Sequence, residues 1–288
     1  MTATLVPPDV VLDWVDNADN NSCYMIWRSD DGTNFDLIDT IGDLENYIDT
    51  TAIPGVKYWY KVQACDAEGN TSNFSNTVET GFEFTPIEYG LLYNYYAASG
   101  DGGAHDIAPA GWHVMTEAEW TTFYTFLGGQ LVAGGKLKET GTTHWNTPNT
   151  GATNEVGFNA KPGGNRNPLT GNFATINTSA WWWCGDASTE FDAQFNSVIL
   201  YEGIGVSEKF GYSIRCIKDD SDDPGMVVDY DDNIYPTVKI GTQVLMAQNL
   251  IVKHYNDGIP IPEVQDAGDW IVLGTGAWCY YDNDSGNM

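Results

Sequence analysis

Basic residues are scarce in this chain. Twelve lysines and arginines stand against 40 aspartates and glutamates, a formal charge of −28, so phosphate backbones and anionic lipid surfaces are repelled rather than neutralised. Nucleic acid is therefore excluded as a partner. Long apolar runs are also missing: no segment approaches 18 apolar residues, and the opening MTATLVPPDVV has neither a basic nor an apolar signal region, so neither membrane insertion nor a signal peptide is expected. Five cysteines in 288 residues are too few for a disulfide framework. The four histidines, His105, His113, His144 and His254, show no HExxH and no close His/Cys spacing, and G-x-S-x-G is absent. No catalytic residue, metal or cofactor is expected.

What the chain has in quantity is aromatic and turn chemistry. Eleven tryptophans, 16 tyrosines and 31 glycines, with scattered Asn, Asp and Thr, predict a mostly β protein with minor α and many turns. At this length two domains are expected. The acidic residues are spread along the sequence, the pattern of a soluble surface rather than of a cation store.

Residues 1–83 read as a β-sandwich. Alternating apolar and polar residues at 10–15, 23–29, 35–41, 46–51, 57–65 and 75–80 are separated by turn signals that include Pro54-Gly55. The runs Tyr24-x-Ile26-x-Arg28-Ser29-x-Asp31-Gly32 and Tyr58-x-Tyr60-x-Val62-x-Ala64 resemble a bacterial fibronectin type III domain. Alternation points Tyr24, Ile26, Tyr58, Tyr60, Val62 and Ala64 inward and Cys23 and Cys65 outward. The resemblance implies that the strands carrying these two cysteines are antiparallel neighbours with sulfurs close together. With no visible concentration of polar groups at one loop end, this module is expected to act as a spacer.

Residues 84–288 open at Phe84-Thr85-Pro86 and contain one segment where helix signals agree. Thr116 and Glu119 form a capping box; Trp120, Phe123, Tyr124 and Leu127 share one helical face; Gly128 supplies the stop. Burying these four side chains is worth on the order of 8 kcal/mol before entropy is subtracted.

Around that helix lie Tyr89-Gly90-Leu91-Leu92-Tyr93-Asn94-Tyr95-Tyr96, Ala108-Pro109-Ala110-Gly111-Trp112-His113-Val114, Gly134-Gly135-Lys136-Leu137-Lys138-Glu139, the run Trp181-Trp182-Trp183 and Gly211-Tyr212-Ser213-Ile214-Arg215-Cys216. This ordered series resembles the Fibrobacter succinogenes major paralogous domain, which implies an α+β C-type-lectin-like fold of gut-bacterial surfaces and phages. Residues 229–284, with Val238-Lys239-Ile240-Gly241 and Met246-Ala247-x-Asn249-Leu250, resemble that family's N-terminal half, here placed last. The halves are then permuted: 84–218 first, a linker at 219–227, and 228–288 expected to dock on 84–218 of the same chain, with docking across a homo-oligomer as the rival. The helix face should accordingly touch residues 228–288.

The remaining candidates follow from this resemblance. Lectin-like domains recognise ligands near their C-terminal strands, which makes Trp182, Asp192, Gln194, Asn196, Tyr201 and Glu202 the expected glycan or protein receptor contacts, with Trp181 and Trp183 assigned to the core. Cys216 and Cys279 match cysteines of the domain and are expected to be close in its interior; a formylglycine-generating enzyme, which needs reactive cysteines, is a distant alternative. Trp112 and His113 read as packing residues. Asp229-x-Asp231-x-Asn233 has the odd-position oxygens of a calcium loop without its glycine and closing glutamate, and reads as a turn. The function expected is non-catalytic recognition or decoration on a phage virion, among other virion or surface proteins, or else a bacterial adhesin. Localisation is then a virion surface or extracellular.

Overall fold

The computed structural model describes the whole chain apart from residues 7–8, 18–20, 54–55, 82–83, 85–86 and 223–224. The expected turn at Pro54-Gly55, the boundary at Thr85-Pro86 and part of the 219–227 linker lie outside the described residues. The protein is mostly β with few helices and divides into two compact units, one centred on residues 1–84 and the other on 85–223 and 227–288.

In the first unit, β1 (Thr2–Val6), β2 (Asp9–Asp13), β3 (Cys23–Ser29), β4 (Asp36–Gly42), β5 (Asn46–Asp49), β6 (Lys57–Cys65) and β7 (Val78–Gly81) form two antiparallel sheets, ordered β1-β2-β5 and β4-β3-β6-β7. β1 has no counterpart among the strands read from the sequence. Val10, Leu12, Tyr24, Ile26, Tyr58, Tyr60 and Val62 are buried, the alternation expected of half-buried strands. Asp49 on β5 ties the sheets together, accepting from Arg28 Nη1 on β3 at 2.8 Å and the Tyr60 hydroxyl on β6 at 2.9 Å. Burial alone would raise the Asp49 pKa; bonds from Thr51, Tyr60 and Arg28 outweigh it and lower the pKa.

Cys23 and Cys65 are register partners on β3 and β6, with Cα atoms 5.0 Å apart and a disulfide between them. Cys65 is buried rather than outward, and Ala64 is only half-buried, because the backbone bridge to Thr71 folds the following loop over the strand end.

The second unit contains β8 (Leu92–Tyr93), α1 (Tyr95–Ala98), the tight turn α2 (Gly100–Gly103), β9 (Trp112–Val114), α3 (Glu117–Phe126), α4 (Gln130–Leu137), β10 (Gly163–Arg166), β11 (Phe173–Ile176), β12 (Ser179–Trp183), β13 (Glu190–Gln194), β14 (Leu200–Gly203), β15 (Cys216–Lys218), β16 (Met226–Val228), β17 (Ile234–Ile240), β18 (Gln243–Met246), α5 (Ala267–Ile271) and β19 (Trp278–Cys279). Its largest sheet runs β16-β17-β18-β15-β9, and a second runs β12-β13-β14.

The helix α3 begins at the Thr116/Glu119 capping box, and Trp120, Phe123 and Leu127 are buried. They share a cluster with Ile240 and Leu245, and Val238 packs on it. The Gln243 amide donates to Glu119 O at 3.1 Å. Gly241 turns the chain between β17 and β18 with φ +63°, a conformation that favours glycine, and a Cβ there would lie 3.0 Å from the Phe126 ring.

Residues 228–288 complete this unit within their own chain. β18 pairs with β15 through Leu245 and Ile217, and β19 pairs with β8 through Trp278–Tyr93 and Cys279–Leu92. At the junction, Asn249 Oδ1 accepts from Arg215 Nε (2.6 Å) and Trp182 Nε1 (2.9 Å), while its Nδ2 donates to Tyr89 O (2.7 Å). All four residues are buried. Asn249→Ala leaves two buried donors without an acceptor, a loss of about 3 kcal/mol. The expected outcome is a fall of roughly 6–12 °C in the melting transition of this unit, read by tryptophan fluorescence. Separately, replacing Cys23 and Cys65 together by Ser, which frees the 42-residue separation, is expected to cost the first unit about 4 kcal/mol, read by urea denaturation.

Candidate functional site

A groove of about 550 Å³ in the second unit is lined by Tyr95, Tyr96, Ser99, Asp101, Glu208 and Thr275, with Gly102 and Gly274 at its rim. Residues 95–102 and 274–275 come from the two ends of the unit, brought together by the β8–β19 pairing, and Glu208 joins them from the middle of the unit. Asn94 does most of the positioning. Its side chain caps α1 by accepting from Ala97 N, accepts from Ala277 N at 3.0 Å and donates to Thr275 O at 2.8 Å. The buried amide thus fixes both walls.

Asp101, held in the left-handed region at φ 52°, accepts from Gly276 N at 2.7 Å and from the Tyr255 hydroxyl at 3.1 Å. Tyr95 N donates to Glu208 O at 2.8 Å, and the Tyr95 ring lies 5.4 Å from Trp183. Burial first, and then a hydrogen bond to the Glu208 carboxylate, raises the pKa of Tyr96. Two aromatic rings, two carboxylates and four hydroxyls make a concavity with apolar area and directional donors and acceptors.

An aromatic ladder leads from this groove to the stretch singled out in the sequence. Trp183 lies 4.7 Å from Tyr212, and Tyr212 stacks between Phe210 (5.0 Å, 10°) and Trp181 (5.4 Å, 9°). Trp181, Asp192 and Tyr201 are register partners across β12, β13 and β14. Gln194 Nε2 donates to Asp192 at 2.9 Å, and the Tyr201 and Ser197 hydroxyls meet at 3.0 Å. Asn196 is exposed at the hairpin tip, and Glu202 is half-buried at the far face, 3.4 Å from Gln130.

Trp182 does not belong to this surface. It is fully buried, within 5.8 Å of Trp120 and 5.5 Å of Phe158, and donates to Asn249. Trp181, assigned to the core from the sequence, is the partly exposed member of the run. The inversion has a simple cause: β12 lies between two core clusters, so both of its faces are apolar and period-two alternation does not say which is wet. Asp192 is also buried, which leaves Gln194, Asn196, Tyr201 and Glu202 as the reachable members of the six. Tyr95, Tyr96 and Glu208 were missed because nothing local distinguishes them from packing residues; the Asp101-Gly102-Gly103 turn beside an aromatic run was the available signal.

The other candidates resolve as follows. Cys216 and Cys279 are free thiols in separate clusters, as β15 faces the main core and β19 lies over Trp270, so they are not a pair. Burial raises Cys184 and Cys216 far above the usual thiol range and Cys279 to about 12, the reverse of what a nucleophilic thiolate requires. His113 is not a packing residue: it bridges Glu119 (2.9 Å) and Asp219 (2.7 Å). The Glu119 bond, partly opposed by burial and helped by Asp219, lifts its pKa to about 9. Asp229 closes a turn, accepting from Asp231 N, Asn233 N and the Tyr235 hydroxyl. Among the described residues no group of three or more His, Cys, Asp or Glu is placed to hold a metal ion, and no helix is long and apolar enough to cross a membrane.

A model of the Fibrobacter succinogenes major domain family matches residues 40–218, more than half of the sequence, and the chain belongs to that family. The match reaches into the first unit and stops at Lys218. Local likenesses extend to two amylopullulanases. One, from Thermoanaerobacterium thermosulfurigenes, is 43% identical over 88 residues, 30% of this chain and 4% of that protein. The other, from Thermoanaerobacterium saccharolyticum, is 40% identical over 82 residues, 27% of this chain and 6% of that protein. The chain therefore spans a small fraction of these relatives' length. Among solved structures, β-1,2-glucanase from Parabacteroides distasonis gives a TM-score of 0.27 at 26% identity, covering 30% of this chain and 12% of that one. Pectate lyase PelI from Erwinia chrysanthemi gives 0.26 at 18%, covering 27% of each.

Beneath the ladder, Glu190 and Asp192 share one face of β13, and among the described residues no basic side chain is bonded to either. Burial, then the charges of Asp192 and Glu202, raises Glu190 to about 9; burial raises Asp192 to about 6 despite the Gln194 bond. The folded chain thus keeps the Glu190 proton where the unfolded chain has released it, and stability falls as pH rises from the ordinary glutamate range to about 9. Glu190→Gln removes this titration. It is expected to raise stability by on the order of 3 kcal/mol at pH 8 and hardly at all at pH 4. Melting temperatures of both proteins across pH 4–9 check this, and a constant difference would contradict it.

Proposed function

We propose that this is a non-catalytic carbohydrate-recognition protein that binds glycan in the groove of Tyr95, Tyr96, Asp101 and Glu208. The observation that carries the reading is the groove itself: aromatic faces beside fixed carboxylates and hydroxyls, the combination that receives a sugar's apolar face and its hydroxyl rim. Membership of the Fibrobacter succinogenes major domain family fits a surface or carbohydrate-related role, and so does the local likeness to proteins named amylopullulanase. The three buried thiols favour recognition over formylglycine-type chemistry.

In the finer reading, residues 1–83 are a fibronectin type III-like module and residues 84–288 a C-type-lectin-like domain with exchanged halves. The pairing of β18 with β15 and of β19 with β8 supports that exchange. The protein is then displayed on the outside of a phage particle, docked on other virion proteins, or on a bacterial surface. Neighbouring genes separate the two settings: capsid and tail genes support the first, a secretion cluster the second. Binding to a neutral glycan array is expected to fall at least tenfold in Tyr96→Ala and in Glu208→Ala, with melting temperatures unchanged within about 2 °C; unaltered binding in both would overturn the groove assignment.

A further inference from the structure

The groove of the second unit carries charge of one sign only. Asp101 and Glu208 line it, and no Lys or Arg does. The ion pairs that Lys and Arg make among the described residues go to other acids, Asp49, Glu79, Glu155 and Asp220. Lys209 follows Glu208 in sequence, but its ammonium donates to Ile271 O at 2.9 Å rather than to that carboxylate.

The two acids are held differently. Asp101 is fixed, its Oδ1 accepting from Gly276 N at 2.7 Å and its Oδ2 from the Tyr255 hydroxyl at 3.1 Å, so it supplies a charge in a set place. Glu208 is exposed, and its carboxylate accepts from the Tyr96 hydroxyl, which leaves lone pairs open to a ligand. Asp186 adds to the field: after burial, the charges of Asp186 and Glu208 raise the pKa of Tyr95. The aromatic wall of the groove therefore sits in a negative potential.

A negative groove selects a cation, and its lining narrows which kind. A metal ion does not fit, because among the described residues no group of three or more His, Cys, Asp or Glu is placed to hold one, and hard divalent ions take about six to eight oxygens. An ammonium carried on a larger molecule asks for less: one carboxylate as acceptor and an aromatic face beside it. Tyr95 and Tyr96 are half-buried and offer such faces. The Ser99 and Thr275 hydroxyls line the same groove and suit the hydroxyls of a sugar ring. At Gly102 and Gly274 an added Cβ would meet nothing within 4 Å, so the rim is open on both segments and a chain of sugars can run past it.

Resting on the glycan reading of this groove, we propose that it is selective for amino sugars: it takes an oligosaccharide with free, protonated amines, the ammonium bonded to Glu208 in the field of Asp101, in preference to neutral or N-acetylated chains of the same linkage. Uronic acids are repelled by the same field.

The test uses the full chain and β-1,4-linked hexasaccharides of glucosamine, N-acetylglucosamine and glucose, which differ only at C2. They are titrated by calorimetry at low salt and mildly acidic pH, where the sugar amines are protonated. The glucosamine hexamer is expected to bind about three- to fivefold tighter than the glucose hexamer, the range of one partly exposed ion pair, and the advantage should shrink in about 1 M salt. Glu208→Gln keeps the size and an acceptor for the Tyr96 hydroxyl but removes the charge, and should bring the glucosamine-to-glucose affinity ratio close to one. Asp101→Asn, at a left-handed position that asparagine tolerates, should lower the same ratio. Unchanged melting temperatures in both variants show that the fold is intact. Equal binding of the three hexamers would overturn the selectivity and leave the groove as a glycan site; no binding of any would remove both. A ratio that survives Glu208→Gln places the amine elsewhere, and hexalysine bound as tightly as the glucosamine hexamer makes the groove a basic-peptide site; either result overturns the proposal.

Discussion

The structure of the second unit depends on how three buried cations are held. Lys138, Arg166 and Arg215 are each almost fully buried, and although the chain has 40 carboxylates they donate mainly to backbone carbonyls. Lys138 donates to Thr150, Gln194 and Ser197 carbonyls; Arg166 to those of Gly171, Val264 and Gln265; Arg215 to those of Phe158 and Met246. The reason lies in the architecture. Short strands and long irregular connections leave many carbonyls without a ladder partner, and a cation with three to five fixed donors satisfies several at once. Aromatic rings complete each pocket, with Trp145, Trp270 and Phe158 lying against the three cations in turn.

These clamps also explain why residues 228–288 hold to the rest of the unit. Arg166 reaches Val264 and Gln265, and Arg215 reaches Met246 and Asn249. Strand pairing adds direction: β18 enters the sheet beside β15, and β19 beside β8. Polar bonds that fix register and apolar clusters that supply the driving force are therefore distributed over the same segment.

Local signals carried the fold further than the site. The capping box and apolar face of α3 are set within twelve residues, so they can be read directly from spacing. The approach of residues 228–288 to that face was also readable, because it follows from domain order rather than from any one side chain. The site was less legible. Trp182 and Trp181 exchange the places assigned to them because β12 is covered on both faces, and periodicity distinguishes two faces without saying which of them meets water. Tyr95, Asp101, Glu208 and Thr275 are brought together only by tertiary pairing. Glu190 looked like one more acidic residue, and its burial without a cation is a property of the packed sheet alone.

The groove makes its demands on the backbone rather than on mobile side chains. Asp101 is fixed by Gly276 N and Tyr255, Thr275 by Asn94, and Tyr95 by Glu208 O and Trp183. Its polar groups are held by the same pairing that closes the unit, β19 against β8. A side chain already ordered by the fold has little freedom left to lose, so the ordering cost of about 0.5–1.5 kcal/mol for each mobile side chain is met on folding rather than at the groove.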